Sequence, residues 1–168
     1  VIAIGFQRAK ANTRLHQCSY RVVLFRECRH VERRAAMAVA RSKSGAKLYV
    51  GGEFSISEGS PTNFLACWDG TTWSSVGGGV NGFVFDLAVF DDGDGEDLYV
   101  AGSFTHAGGL PIRRIAKWNG NSWSPVGAAS NASFSGYIVR LAPCDDGSGT
   151  KLYAAGYMSA IGGAFVNG

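Results

Sequence analysis

The chain has 168 residues, of which 46% are apolar and 12% aromatic, a balance that fits a folded globular protein. Its 24 glycines follow no triplet period, which excludes collagen and indicates many tight turns between short strands. The net charge of +3 hides an uneven distribution: residues 1–47 hold eleven Lys or Arg against two Glu, whereas residues 48–168 hold five against eleven Asp or Glu.

Residues 1–35 form a basic arm in which we expect a strand at 20–25 and, from composition alone, a helix over 28–40. A basic arm could contact nucleic acid or an anionic surface, but no binding motif is present, so no specific nucleic-acid partner is predicted. The apolar start lacks the features of a signal peptide, and because the first residue is Val we expect that an upstream piece was lost. No stretch approaches the roughly 18 apolar residues that span a membrane.

The cysteines show no CxxC spacing, so free thiols and disulfides both remain open for Cys18, Cys28, Cys67 and Cys144. Within the arm, His16-x-Cys18 and Cys28-x-His30 could on paper hold zinc. Their spacing is tighter than structural zinc sites use, which favours coincidence. No metal site and no cofactor are predicted.

The rest of the chain is organised by a repeat. Leu-Tyr-Val-Gly-Gly-Glu-Phe at 48–54 returns at 98–104 and again, less closely, at 152–158. Trp68, Trp73 and Gly77 return fifty residues later as Trp118, Trp123 and Gly127. A period near fifty with several short strands per unit is typical of a β-propeller blade. This periodicity also overrides the helical composition from residue 36 onward, because 36–40 align with 86–90.

Four strands are predicted in the best-defined copy, near 84–90, 97–104, 113–118 and 122–126. Asn119-Gly120 marks the tight turn of the last hairpin, and we expect the tryptophans beside it to cover the neighbouring sheet. The small pairs Gly51-Gly52, Ala101-Gly102 and Ala155-Gly156 should let adjacent sheets approach closely.

The predicted fold is therefore all-β, a partial propeller of about two and a half four-stranded blades with an irregular N-terminal arm. The arm covers residues 1–35, the first blade 36–83, the second 84–136, and a partial third 137–168. A closed propeller typically needs four to eight blades, so we expect a piece of a longer protein, or association of copies through open blade edges.

These residues resemble kelch-like propeller repeats, in which an apolar strand ending in a glycine pair precedes an aromatic residue, a turn and a tryptophan. Residues 98–127 are similar almost throughout to a repeat group found in bacterial surface proteins and fungal cortical polarity markers. In this chain the glycine pair becomes Ala-Gly in the second and third copies, and residues 1–35 match nothing. The resemblance implies a fold rather than an activity.

Propeller ligands usually meet the loops that follow the second and fourth strands of each blade, here 55–63, 105–113, 77–82 and 128–136. In these loops His106, Arg113 and Arg114 are the best polar candidates for contact with an anion or a sugar, although His106 could be a plain loop residue and the arginines plain solvated charges. No catalytic constellation is visible, because His106 has no partner at a fixed spacing.

Two further motifs have plain alternatives. The acidic run 91–97 offers oxygen ligands for Ca²⁺. The equivalent run at 145–149 has lost about half of these carboxylates and the one at 41–45 has lost them all, which favours a solvated hairpin turn. Asn131-Ala132-Ser133 is a glycosylation sequon that would need a secretory route.

The leading hypothesis is a non-enzymatic binding or structural module of an extracellular or cell-surface repeat protein, with a protein or glycan ligand on one propeller face. The alternative is part of a propeller enzyme, an oxidase or a glycan-processing enzyme, whose catalytic residues lie outside this chain. Both rest on analogy of fold.

Overall fold

The first repeat forms a four-stranded antiparallel sheet. The structure is a computed structural model that describes residues 35–42, 45–54, 56–57, 60–127, 135–145, 147 and 149–160. The first sheet has the order β1-β2-β5-β6, each strand beside the next. Its strands are β1 Ala35–Ser42, β2 Gly45–Gly52, β5 Leu65–Trp68 and β6 Trp73–Ser75, and a separate small hairpin, β3 Ile56–Ser57 with β4 Ser60–Pro61, lies between β2 and β5.

The second repeat builds a second sheet in the same antiparallel order. Its strands are β7 Val84–Asp91, β8 Glu96–Gly102, β9 Ile115–Trp118 and β10 Trp123–Pro125. A terminal hairpin of β11 Ser135–Asp145 and β12 Thr150–Ala160 follows. The described chain is thus all-β, as predicted. β1 begins at Ala35, which confirms that the repeat rather than the helical composition decides the structure from residue 36 onward, and residues 28–34 lie outside the described part.

The pairing register repeats with the sequence. Leu48 lies opposite Trp68 in the first sheet, and Leu98 lies opposite Trp118 in the second. The paired tryptophans of each last hairpin also face one another, with ring centroids 5.4 Å apart for Trp68 and Trp73 and 5.2 Å apart for Trp118 and Trp123. The fifty-residue period therefore describes the same local structure twice.

Side-chain oxygens close the turns between these strands. Asp69 Oδ1 accepts the backbone N–H groups of Thr71 at 2.8 Å and Thr72 at 2.9 Å, and these bonds hold the pKa of the exposed Asp69 carboxyl well below its usual range. Asn119 Oδ1 accepts the matching N–H groups of Asn121 and Ser122. The predicted Asn-Gly turn is confirmed, and its capping residue explains why Asp and Asn exchange there.

The first buried cluster joins the first and second sheets. It includes Tyr49 and Leu65 from the first sheet and Leu98 and Val100 from the second, all at most 6% exposed. Gly51 is required at this junction, because a Cβ on it would overlap the Val84 side chain of β7. The predicted close approach of sheets at Gly51 is confirmed.

The glycines of the later copies serve a different purpose. A Cβ on Gly102 would overlap the carbonyl oxygen of Phe83, and one on Gly156 would overlap that of Tyr137. Both partners lie in the glycine's own sheet or just before it, beside register shifts of β7 and β11. These two glycines therefore accommodate bulged strand pairing rather than contact between sheets.

A second buried cluster joins the second sheet to the terminal hairpin. It contains Tyr99 and Ile115 on the side of the sheet and Ile138 and Leu141 on the side of the hairpin. A polar contact also joins the second sheet to the terminal hairpin. The carboxylate of Asp86 accepts the backbone N–H of Leu87 at 3.0 Å and that of Leu141 at 2.8 Å. The described residues contain no helix that is long and apolar enough to cross a membrane.

Candidate functional site

Two loops meet at one end of the second sheet. The first joins β6 to β7 and the second joins β8 to β9. Val80 and Ala107 form an isolated β-bridge between them, and Gly108 donates its N–H to the carbonyl of Gly79 at 2.8 Å. The structure thus brings the loops 77–82 and 105–113 into direct contact. Hydrogen bonds between backbone groups already join the two loops, without any contribution from side chains.

Asn81 is the polar centre of this loop pair. Its Oδ1 accepts the backbone N–H groups of Thr105 at 2.8 Å and His106 at 2.9 Å, while its backbone N–H donates to the His106 carbonyl at 3.2 Å. Its Nδ2 donates to Thr105 Oγ1 at 2.9 Å. Sequence reasoning placed residue 81 within the loop 77–82 but missed the role of Asn81, because its partners lie 24 and 25 residues away.

His106 is exposed on this loop pair. Its Nδ1 lies 3.0 Å from Thr105 Oγ1 and 3.3 Å from Asn81 Nδ2. Because the Asn81 amide nitrogen can only donate, Nδ1 is suited to be the accepting nitrogen, which would leave Nε2 to carry the proton. The ring is then oriented by two neighbours and can present an N–H donor to a ligand.

The two arginines differ in their surroundings. Arg114 has φ +65° and donates from a terminal guanidinium nitrogen to the Ser103 carbonyl at 2.7 Å, so it closes the base of the β8–β9 loop. Its backbone also bonds Gly102 and Phe104. Arg113 is half-buried, and its carbonyl accepts the N–H of Ile115. The guanidinium of Arg114 is already bonded within the loop. Of the three predicted residues, His106 and Arg113 therefore stay candidates for contact with a ligand.

A groove of about 450 Å³ lies between the second sheet and the terminal hairpin. Its floor is apolar, and its rim carries acidic, phenolic and cationic groups. The apolar residues are Phe90, Ile115, Val126, Ile138, Leu152 and Ala154, and the polar ones are Asp91, Asp92, Tyr99, Thr150 and Lys151. Such a surface suits an apolar side chain more than a small polar substrate.

Four side chains form a polar cluster beside this groove, and two of them, Asp92 and Tyr99, belong to its lining. Lys117 Nζ lies 2.8 Å from Asp92 Oδ2 and 3.1 Å from Asp97 Oδ2, and the Tyr99 hydroxyl donates to Asp92 Oδ2 at 2.8 Å. The hydrogen bonds to the two carboxylates raise the pKa of Lys117, and those from Lys117 and Tyr99 lower the pKa of Asp92. Burial and the bond to Asp92 raise the pKa of Tyr99 to about 12. At neutral pH Lys117 is therefore protonated, Asp92 is ionised and Tyr99 keeps its phenolic proton.

In the acidic run 91–97, the first carboxylate accepts hydrogen bonds from its own turn. Asp91 Oδ1 accepts the N–H groups of Gly93 and Gly95, as Asp145 Oδ1 accepts those of Gly147 and Gly149. These bonds close two equivalent hairpin turns. Among the described residues no group of three or more His, Cys, Asp or Glu side chains is placed to hold a metal ion.

The described cysteines, Cys67 and Cys144, are free thiols. Burial raises the pKa of the Cys67 thiol, so little reactive thiolate forms there, while Cys144 is exposed. Several predictions lie outside the described residues: the arm and its His16, Cys18, Cys28 and His30, the sequon at 131–133, and parts of the loops 55–63 and 128–136.

Comparison of the chain with protein-family models, with curated proteins and with solved structures finds no match. The site must therefore be interpreted from its own geometry. What that geometry offers is an oriented imidazole on a stiff loop pair, and an open apolar groove with a charged rim.

Proposed function

We propose that the chain is a non-enzymatic binding or structural module of a kelch-like β-propeller repeat protein. Each repeat supplies one blade, and a protein or glycan ligand meets the paired loops at the end of the second sheet. Two sheets of identical strand order packed face to face, with equivalent turns and tryptophan pairs, support the propeller arrangement.

The observation that carries the binding role is the fixation of the loop pair by Asn81. Loops that must present a ligand-binding surface gain affinity when they are ordered before binding. The three backbone bonds of Asn81 to Thr105 and His106 supply such order, although both loops are on the surface. His106 and Arg113 would then offer a hydrogen-bond donor and a cation to the hydroxyl or carboxylate groups of a glycan or a protein.

The kind of repeat in this chain favours an extracellular or cell-surface location for this module. That placement rests on the similarity of residues 98–127 to repeats of surface proteins and on the fold that they imply.

A glycan array probed with the labelled chain tests the ligand class. We expect binding of acidic glycans to be lost in His106→Ala and in Asn81→Ala, and retained in Asn121→Ala, which alters an exposed side chain in the β9–β10 turn. Retention of all binding in both loop variants, or binding of no glycan, would remove the glycan as the ligand of this loop pair.

A further inference from the structure

Two Asn-Gly dipeptides lie in the described part of the chain, at 81–82 in the loop pair and at 119–120 in the β9–β10 turn. Asparagine before glycine is prone to deamidation, because glycine has no side chain to hinder attack by its own backbone nitrogen. The glycine nitrogen attacks Cγ of the asparagine and ammonia leaves. Water then opens the resulting cyclic succinimide to an aspartyl or an isoaspartyl residue.

The two sites share an exposed side chain with a polarised amide carbonyl. Asn81 Oδ1 accepts two backbone N–H groups, and Asn119 Oδ1 accepts those of Asn121 at 3.0 Å and Ser122 at 2.9 Å. Negative charge develops on this oxygen when the glycine nitrogen adds to Cγ, and two N–H donors stabilise it as an oxyanion hole does. This feature favours the reaction at both sites and does not separate them.

The amide nitrogen, which leaves as ammonia, is held at one site only. Asn81 Nδ2 donates to Thr105 Oγ1 at 2.9 Å and lies 3.3 Å from His106 Nδ1. Rotation of the Asn81 side chain toward its own backbone would break these contacts. Within the described residues, the hydrogen bonds of the Asn119 side chain are made by Oδ1 alone. The nitrogen of Asn119 can therefore leave without breaking a bond to the protein.

The space around each glycine differs in the same direction. A Cβ on Gly82 would lie 2.8 Å from Phe104 Cα and 3.0 Å from Phe104 N, so the backbone at 81–82 is packed against the β8–β9 loop. A Cβ on Gly120 would meet nothing within 4 Å. The five-membered succinimide ring has room to form at 119–120, whereas at 81–82 the loop pair must first open locally.

The first repeat already contains the aspartyl product of this reaction. Asp69 stands fifty residues before Asn119, and its Oδ1 accepts the N–H groups of Thr71 and Thr72 as Asn119 Oδ1 accepts those of its own turn. A carboxylate forms stronger hydrogen bonds to backbone N–H groups than a neutral amide does. An aspartyl residue at position 119 should therefore keep the turn intact.

An isoaspartyl residue at the same position should not. It routes the backbone through the former side chain and adds one carbon to a turn that joins the paired residues Trp118 and Trp123. Trp123 donates its indole N–H to the Gly77 carbonyl at 3.0 Å, and a Cβ on Gly77 would overlap the Trp118 ring. A longer turn would disturb this pairing and, with it, the contact between the second sheet and the first.

We propose that Asn119 is a site of spontaneous deamidation and that the fold protects Asn81. The reaction consumes water and releases ammonia. The aspartyl product adds a negative charge to the last hairpin of the second sheet without altering its turn, and the isoaspartyl product weakens the contact of that hairpin with the first sheet. This assignment is independent of the ligand proposed for the loop pair.

Incubation of the full chain at mildly alkaline pH, followed by trypsin digestion at slightly acidic pH, tests the proposal. Trypsin places residues 81, 119 and 167 on separate peptides, 48–113, 118–140 and 152–168, and fragmentation in the mass spectrometer assigns each converted residue. In the folded chain Asn119 should convert at least about tenfold faster than Asn81. In urea the two rates should agree within about twofold. Equal rates in the folded chain, or faster conversion of Asn81, would overturn the proposal.

Thr105→Val tests the protection of Asn81. The valine keeps the backbone N–H that donates to Asn81 Oδ1 and removes the acceptor of Nδ2. Conversion of Asn81 should rise at least about threefold while that of Asn119 stays unchanged, with far-UV circular dichroism used to confirm the fold. Ser122→Ala removes a hydroxyl 3.4 Å from Asn119 Oδ1 but keeps the backbone donor, and is the matched control. An unchanged rate at Asn81 in Thr105→Val would contradict its protection by the loop pair.

The two products can be told apart by their stability. Asn119→Asp should melt at the temperature of the wild type or above it. Chain aged until position 119 is isoaspartyl, and isolated by chromatography with synthetic peptides 118–140 as standards, should melt at a lower temperature. An equal loss in both forms would show that the turn does not accommodate the aspartyl product.

Discussion

Trp123 shows how one polar atom on a large ring fixes the contact between two sheets. Its indole N–H reaches the Gly77 carbonyl across 46 residues of sequence, while the ring itself is only 7% exposed. A buried carbonyl that loses its donor carries a desolvation cost, so the contact has a polar as well as an apolar component.

Trp123→Phe separates these two components. The phenyl ring keeps most of the apolar contact and removes the donor, so we expect the free energy of unfolding to fall by about 1–3 kcal/mol. Urea denaturation followed by circular dichroism measures the change. Trp73→Phe, at the half-buried counterpart in the first sheet, is the control, and an equal loss there would show that ring size rather than the bond to Gly77 is responsible.

Lys117 makes stability depend on pH at both ends of the range. The pKa of Asp92 is lowered from 3.8, so its contribution is complete above that value and is lost as the pH falls through the lowered pKa. The pKa of Lys117 is raised from 10.5, so its contribution is complete below that value and is lost as the pH rises through the raised one.

Lys117→Met should therefore destabilise the chain at pH 7. The effect should decrease as the pH drops below about 4 toward the lowered pKa of Asp92, where the carboxylate of the folded chain becomes protonated. Urea titrations of the wild type and the variant at a series of pH values test this. Arg140→Met removes an exposed cation from β11 and should show no such trend. A gap between wild type and Lys117→Met that stayed constant down to pH 2 would exclude the ion pair as its source.

At the scale of strands and turns, Gly51 is one of the close contacts between the first and second sheets. A methyl group there meets Val84, whose side chain is held within the buried cluster and cannot move aside freely.

Gly51→Ala should lower the free energy of unfolding by about 1–3 kcal/mol, the range for overpacking a close-packed core. Ala46→Val adds carbon at an exposed position of the same strand and should change it little. Thermal melting of both variants provides the comparison. Similar melting temperatures for Gly51→Ala and the wild type would mean that the two sheets are packed less closely than the structure shows.

The strands of the second repeat could be predicted to within two residues because their signals are local. Apolar runs, the Asn-Gly turn and the flanking tryptophans all lie within a few residues of the strands that they define. The small hairpin of β3 and β4 was not predicted, since 56–61 carries no strand pattern of its own. Gly102 was predicted to let neighbouring sheets approach, and this was wrong. It accommodates a bulge in the neighbouring strand β7, which the residues around Gly102 do not reveal.

The candidate site was predictable only in part for the same reason. The repeat identified the loops, and composition identified His106 and Arg113 within them. Asn81 acts through backbone groups 24 and 25 residues away, and the Asp86 bond to Leu141 spans 55 residues. Hydrogen bonds over such separations have no fixed spacing, so no sequence pattern encodes them.

For the molecule as a whole, the outer face of β12 is the largest exposed aromatic feature among the described residues. Tyr157 is 72% exposed and Tyr153 43%, and the ring of Tyr157 contacts that of Tyr137 of β11 in a tilted arrangement with centroids 5.3 Å apart. Aromatic side chains grouped on an edge strand favour association with another protein surface.

We therefore expect self-association that depends on concentration, measured by light scattering after size exclusion. The double variant Tyr153→Ser/Tyr157→Ser should shift the mass toward the monomer. Leu110→Ser, at an exposed apolar residue of the β8–β9 loop, should not. A monomeric wild type at every concentration would show that this face does not mediate assembly.

The tryptophan pairs have an optical consequence. All four tryptophans of the chain belong to two closely spaced pairs, one in each four-stranded sheet, with the ring planes of each pair tilted by 47° and 49°. Indoles held this close couple their electronic transitions and give a split circular dichroism band of opposite signs. Replacing Trp68 would leave the band of the second sheet alone, and replacing Trp118 that of the first. The chain thus carries a built-in spectroscopic reporter for each sheet, readable without any label.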